Sequence, residues 1–323
     1  MKTVLSVGMM VCDISLSPVP WNILQIDSAS IASPVVSCGG DALNVAVGLA
    51  KLGIKVSVSG RVGNDTNGGF IRKTCADYEI DISGLITDQT HKTAVSYVLI
   101  DPSGERHFLS NRDIFHELSD KDIPQRAIDQ ADIVYVGSAM AMQRMNDGGL
   151  ERLFHRAKAV DKITVMDAAV ADAEEPRNWM EALKPAFRYT DVFFPSFEEA
   201  SAITGKTEIT DIVDTFRNSG IKVLGIKLGS KGCCITDFNR VRMIPAVSGI
   251  RVVDTCGAGD SFMAGFITAM ARGWDLFSSA EFGSCVAALN VQVPGSTGGI
   301  PKFDNALAYY HHIFKNKEMR LFK

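Results

Sequence analysis

The chain has 323 residues, 46% of them hydrophobic and 22% charged, with a net charge of −4 at pH 7. That is ample apolar material for a large core, while the weakly acidic balance and scattered Lys and Arg leave no electrostatic footprint for nucleic acid or an anionic membrane. Seven cysteines without a C-x-x-C pair argue against a disulfide framework or a zinc site and for a reducing cytoplasm, and no apolar run reaches the ~20 residues of a membrane helix.

In chain order, strand-like apolar runs alternate with helical patterns. Residues 4–8 predict a first strand. The same stretch looks faintly like an export signal, but its apolar run is short and no small-residue cleavage site follows. Residues 42–52 predict a small-residue helix closed by Gly53, residues 55–60 a strand and residues 69–78 a helix. Strands follow at 133–137, 163–167, 191–194 and 223–228, with helices at 149–160 and 197–204. Strands at 233–236 and 241–244 lead to a β-prone segment at 249–253, then to helices at 261–272, 276–291 and 305–315. This βαβ rhythm predicts an α/β fold with a mostly parallel sheet and helices on both faces, as one domain over 1–323.

Two segments break the rhythm. Residues 14–38 carry Pro18, Pro20 and Pro34 and return to β-like Ile31-Ala32-Ser33. Residues 92–116 read as a hairpin with its turn at Asp101-Pro102-Ser103-Gly104. Together they predict a small β-sheet standing off the main domain.

The most informative stretch is Asp254-Thr255-Cys256-Gly257-Ala258-Gly259-Asp260. Small residues open a helix there and let the backbone approach a ligand closely. The free N–H groups and the dipole of a helix start favour an anion. An anion hole flanked by carboxylates suits transfer of a phosphoryl group to a hydroxyl, with Asp260 kept ionised at pH 7 by the helix N-terminus. A Gly-rich cap without chemistry is the plainer alternative. Upstream, Cys38-Gly39-Gly40-Asp41-Ala42-Leu43-Asn44 opens the first long helix. The Asn44 amide offers both a donor and an acceptor, which sugar hydroxyls need. Asp41 either accepts from hydroxyls and repels phosphate, or simply caps the helix. Arg106 and Arg112, on or just past the hairpin, could meet an acidic substrate or stand in solvent.

Three further segments open helices or turns. Val62-Gly63-Asn64-Asp65-Thr66-Asn67-Gly68 is a capped strand-to-helix turn. Pro195-Ser196-Phe197-Glu198-Glu199 places two acids at a helix start, which the dipole favours. Lys227-Leu228-Gly229-Ser230-Lys231-Gly232 follows a strand and lacks the G-K-[ST] of a Walker A loop.

The 254–260 stretch resembles the D-T-x-G-A-G-D-x-F signature of the ribokinase-like (PfkB-type) carbohydrate kinases, and Gly39 to Asn44 resembles that family's G-G-x-x-x-N. The resemblance covers nearly the whole chain. It implies a ribokinase-like three-layer α/β/α domain with a small β lid formed by about 14–38 and 92–116. It implies ATP-dependent phosphorylation of a hydroxyl, most often primary, of a carbohydrate-like substrate, and Asp41, standing where members that accept sugar phosphates commonly have Lys, points to an unphosphorylated sugar or sugar acid. Asp260 would be the general base, with Gly257, Ala258 and Gly259 as the anion hole. Asp13, Gly39, Gly40, Asp41, Asn44 and Arg106 would bind the substrate, and the resemblance leaves Gly63 open as a neighbour. Lys227, Gly229, Gly232 and Ser284 would bind the nucleotide, with residues 284–290 and 293–295 bordering the adenine. Glu199 would serve Mg²⁺ through water, although Ser196 replaces the family's Asn. A monovalent cation such as K⁺ beside Asp254 is left open, since Gly299 lacks the side-chain oxygen often supplied there. The lid implies a homodimer, and the partners implied are a small carbohydrate, no nucleic acid and no membrane.

Two other readings stay open. Trp21, Tyr97, Phe108 and Phe115 would suit a nucleoside acceptor, and a non-catalytic sugar sensor could use the same fold. A dinucleotide-dependent oxidoreductase ranks last, because no G-x-G-x-x-G follows the first strand.

Overall fold

Thirteen strands and their helices carry the architecture of this computed structural model, which describes residues 1–169 and 177–315. The strands are β1 (Val4–Val7), β2 (Val11–Leu16), β3 (Val35–Gly39), β4 (Val56–Gly63), β5 (Asp81–Asp88), β6 (Ala94–Ile100) and β7 (Arg106–Ser110). Then follow β8 (Ile133–Ala139), β9 (Ile163–Ala168), β10 (Val192–Phe193), β11 (Val223–Lys227), β12 (Cys233–Thr236) and β13 (Val241–Ile244). Nine of them form one sheet in the order β13-β12-β11-β10-β9-β8-β1-β4-β5. Pairing is parallel from β11 to β5 and antiparallel only where β11, β12 and β13 meet.

Helices cover both faces, so the central strands are apolar throughout. Along β8, Ile133 and Tyr135 join the core under the helices Asp41–Lys51, Ala258–Ala271 and Leu276–Asn290. Val134 and Val136 join the opposite core, under Leu150–Lys158, Trp179–Phe187 and Ile209–Phe216. The period-two alternation of strand side chains produces this division. Among the described residues no helix is long and apolar enough to cross a membrane, and all seven cysteines are free.

A second sheet, in the order β3-β2-β6-β7, is the expected lid. Its register aligns Asp13 with Ser37 and Ser96, and Ser96 with Ser110. The next row aligns Ile14 with Val36 and Tyr97, and Tyr97 with Leu109. The first row is polar and turned to the body, while Val36, Tyr97 and Leu109 of the second are exposed.

Several boundaries differ from expectation. The lid strand β2 starts at Val11, and Ile31-Ala32-Ser33 is irregular, with the strand at Val35–Gly39 instead. Residues Asp113–Glu117 form a helix whose Ile114 and Phe115 enter the body core, so the lid ends sooner. Residues 249–253 are not a strand; they run past β13 with Val252 and Val253 exposed. β5 and the helix Ile209–Phe216 fill stretches that carry no assignment from sequence. β5 is an edge strand, where exposure dilutes the apolar pattern with Asp, Ser and Thr.

The sheet order places β1 between β4 and β8. The chain thus builds the sheet outward from β1 through β4 to β5, then returns to β8 and builds it in the opposite direction. In open α/β sheets ligands bind in the crevice beyond the strand C-termini at such a switch. The helix Asp41–Lys51 opens there, with Asp41 against Gly137 at the end of β8.

Candidate active site

Gly257 caps the helix Ala258–Ala271 in the left-handed conformation, at φ +67°. A Cβ on it would stand 2.1 Å from the Ser296 carbonyl oxygen, so no larger residue fits without backbone movement. The Ala258 amide donates to the Thr255 carbonyl at 3.2 Å. The amides of Gly257, Gly259 and Asp260 have no acceptor among the described residues, as expected of an anion-binding helix start.

Asp260 lies in the first turn. Asn44 Nδ2 donates to its Oδ2 at 2.7 Å, and the Ser296 hydroxyl lies 3.1 Å from Asn44 Oδ1. Each end of the Asn44 amide thus has a protein partner, and Asn44 fixes Asp260. Burial, then the neighbouring Asp41, push the Asp260 carboxyl well above the usual carboxylate range; Asn44 and Lys227 only partly oppose this. Desolvation and a second carboxylate thus work against the helix N-terminus, which favours the ionised form of Asp260.

Two cavities meet at this helix start. The first, about 270 Å³, lies under the lid and is lined by Asp13, Asp41, Asn44, Arg112, Gly257 and Asp260 among others. Ser96 and Ser110 from the polar lid row, together with Asn111, Phe108 and Phe115, complete the wall. The Ser96 and Ser110 hydroxyls lie 2.8 Å apart. Gly39 leaves room for Asp13: a Cβ there would stand 2.3 Å from Asp13 Oδ1. Burial raises the Asp13 pKa to about 6. Asp41 accepts from the Ser138 hydroxyl at 2.8 Å, and burial raises its pKa. Gly40 is the residue before the Asp41–Lys51 helix and also faces this cavity.

The second cavity, about 570 Å³, is lined by Lys227, Gly229, Gly232, Ala258, Gly259 and Ser284, with apolar walls from Val247, Ile250, Phe262 and Val291. Lys227 Nζ bonds both oxygens of Asp167, each at 2.7 Å. Burial works against the Lys227 charge, but Asp167 and Glu199 outweigh it and raise its pKa. Burial raises Asp167 to about 7, with Lys227 opposing. Glu199 is buried and closes a capping box with Ser196: Ser196 N donates to Glu199 Oε2 at 2.6 Å, and Glu199 N to the Ser196 hydroxyl at 3.2 Å. The Ser thus preserves the acid's position even where Asn was expected. Glu199 lines neither cavity but stands close enough to Lys227 to raise its pKa, and a carboxylate there suits a hard ion such as Mg²⁺ held through water. Ser284 donates to the Pro245 carbonyl at 3.1 Å.

A family model described as pfkB family carbohydrate kinase matches residues 1–302. The chain belongs to that family. An ATP-dependent ribose-1-phosphate kinase of Halopiger xanaduensis is 29% identical, covering 94% of this chain and 100% of its own. A 2-dehydro-3-deoxygluconokinase of Bacillus subtilis is 25% identical, with 80% and 82% covered. The ribokinase of Arabidopsis thaliana, solved with ribose and ATP, superposes with a TM-score of 0.81 at 23% identity, over 96% of this chain and 98% of its own.

Against this pfkB frame, Arg106 is displaced from its expected place. It does not line the first cavity; its Nη2 stands 2.5 Å from Asp254 Oδ1. Arg112 lines that cavity instead. Asp254 also accepts from Cys256 N at 2.6 Å and Gly295 N at 2.8 Å. Gly63 is structural: its amide donates to Thr93 Oγ1 at 2.8 Å beside the cap residue Asp65. Phe108 and Phe115 reach the first cavity, while Trp21 and Tyr97 face outward. Residues missed from sequence are Asp167, Ser138, Ser296 and the Ser96/Ser110 pair. Only Asp167 left a signal, as an acid at the end of an otherwise apolar strand.

Proposed function

We propose that the chain is an ATP-dependent phosphotransferase acting on a hydroxyl, most often primary, of an unphosphorylated sugar or sugar acid. One observation carries this reading. A single helix start walls both cavities, with Gly257 and Asp260 on the lid side and Ala258 and Gly259 on the other. The polar cavity suits a hydroxyl-rich acceptor. The cavity with apolar walls and Lys227 suits an adenine nucleotide with its phosphates at the helix.

In this mechanism the acceptor hydroxyl gives its proton to Asp260 as its oxygen attacks the γ-phosphorus. The bond from that phosphorus to the bridging oxygen breaks and ADP leaves. The free amides at 257 and 259 and the Lys227 ammonium hold charge on the transferring group, where most of the catalysis of phosphoryl transfer lies. Mg²⁺, held by the phosphates and by water against Glu199, would add positive charge there. Asn44 aims Asp260, and the lid excludes water. Asp13, Asp41 and Asp260 make the acceptor cavity strongly acidic around one arginine, which favours hydroxyls over a phosphate. The aromatic pair Phe108 and Phe115 supports a nucleoside as the second reading. The exposed outer row of Val36, Tyr97 and Leu109 supports a homodimer through the lid.

The test is ADP release with Mg-ATP against sugars, sugar acids, sugar phosphates and nucleosides. A hit among unphosphorylated sugars or acids is expected, with Asp260→Asn lowering kcat by roughly 10²–10⁴. Turnover confined to sugar phosphates would overturn the acceptor class, and unchanged turnover in Asp260→Asn would overturn the base.

A further inference from the structure

Asp254 joins three segments. Its Oδ1 takes the Cys256 amide and the Arg106 guanidinium, and its Oδ2 takes the Gly295 amide. The backbone amides of Val253 and Asp254 are tied to the Val291 carbonyl. Cys256 immediately precedes Gly257, so the Asp254 carboxylate sets the approach of the chain to the anion hole. Arg106 reaches this carboxylate from the lid. On β7 it shares a face with Phe108 and Ser110, two and four residues on, and those line the acceptor cavity. One strand therefore touches both the acceptor site and the hinge of the anion hole. The pair is well shielded, with side-chain exposures of 19% and 13%.

A monovalent cation does not fit beside this carboxylate as it stands. Such an ion collects several oxygens, but the Asp254 oxygens already face three N–H donors, and position 299 is a glycine without a side-chain oxygen. We infer that Arg106 is the resident cation of Asp254: the lid supplies in fixed form the charge that would otherwise come from a soluble ion, and thereby positions the anion hole. Arg106 is a positioning residue acting through Asp254 and Gly257. The inference rests on the proposed phosphotransfer for its kinetic arm and has one arm that does not.

The kinetic arm compares K⁺, Na⁺ and choline at constant ionic strength. The wild type should turn over equally in all three. Arg106→Ala should lose roughly tenfold or more in kcat, with a smaller change in KM for ATP. Millimolar guanidinium should restore part of the loss, and Arg106→Lys should fall between. The second arm is thermal melting of the ligand-free wild type and both variants as K⁺ replaces choline. No K⁺-specific rise is expected for the wild type, and folded variants should retain a cooperative transition. A K⁺-specific gain in wild-type kcat or melting temperature overturns the inference, as does wild-type kcat in Arg106→Ala. A defect that no cation repairs and that Arg106→Lys fully shares also overturns it, since charge would then not be the property that matters. If the wild type phosphorylates nothing in the panel, the proposed activity fails, and melting alone decides the cation question.

Discussion

Asp13→Asn should separate stability from binding. Asp13 sits on the polar row of the lid sheet, faces the acceptor cavity and occupies the space that the missing Cβ of Gly39 leaves. Burial raises its pKa from 3.8 to about 6. The folded chain thus holds this proton more tightly than the unfolded chain. The associated stability is fully present below pH 4 and is lost as pH rises to 6 and beyond. A rise from 3.8 to about 6 corresponds to about 3 kcal/mol in full, roughly half of which falls between pH 5 and pH 8. Asparagine has the same shape and no titration, so the variant escapes that loss. Urea unfolding of wild type and variant at the two pH values measures it, with equal m-values securing the comparison. The variant's advantage should be larger at pH 8 than at pH 5 by about 1 kcal/mol. A gap that stays constant or narrows with pH would refute the assignment of a desolvated carboxylate. The same variant should bind acceptor worse: losing charge-assisted hydrogen bonds worth about 1.5–3 kcal/mol raises KM roughly tenfold to a hundredfold.

The remaining expectations are independent of this one. Gly257→Ala forces a side chain into a left-handed position against the Ser296 carbonyl; kcat should fall roughly 10²–10³-fold in steady-state assays, with stability lowered by about 1–3 kcal/mol. Because burial and Asp41 raise the Asp260 pKa, the acid limb of kcat/KM should lie clearly above pH 4, and Asp41→Asn should shift it to lower pH. A limb near pH 4 in the wild type would contradict the buried geometry. Charging the outer lid row with Tyr97→Asp and Leu109→Asp should convert a dimer to monomer in sedimentation experiments, and a dimer that survives would place the interface elsewhere.

Local features were readable from the chain alone. The small-residue helix start at 257–260 announces itself because close backbone approach and a free first turn are properties of a few consecutive positions. The central strands and their alternation with helices were equally legible, since strands buried on both faces must be apolar throughout. The Gly39–Asn44 segment stood out for the same local reason, whereas Asp13 was singled out only by the family resemblance; both line the first cavity, and what Asn44 grips is Asp260. Tertiary structure alone decided which charges meet. Asp167 and Lys227 lie 60 residues apart and pair only because β9 and β11 flank β10. Arg106 reaches Asp254 only because the hairpin folds over the sheet's C-terminal edge. The upward push on the Asp260 pKa likewise comes from burial and from Asp41, neither of which its own neighbours in sequence reveal. Sequence motifs specify backbone geometry over one turn, whereas desolvation and long-range charge pairing are set by what the fold brings alongside.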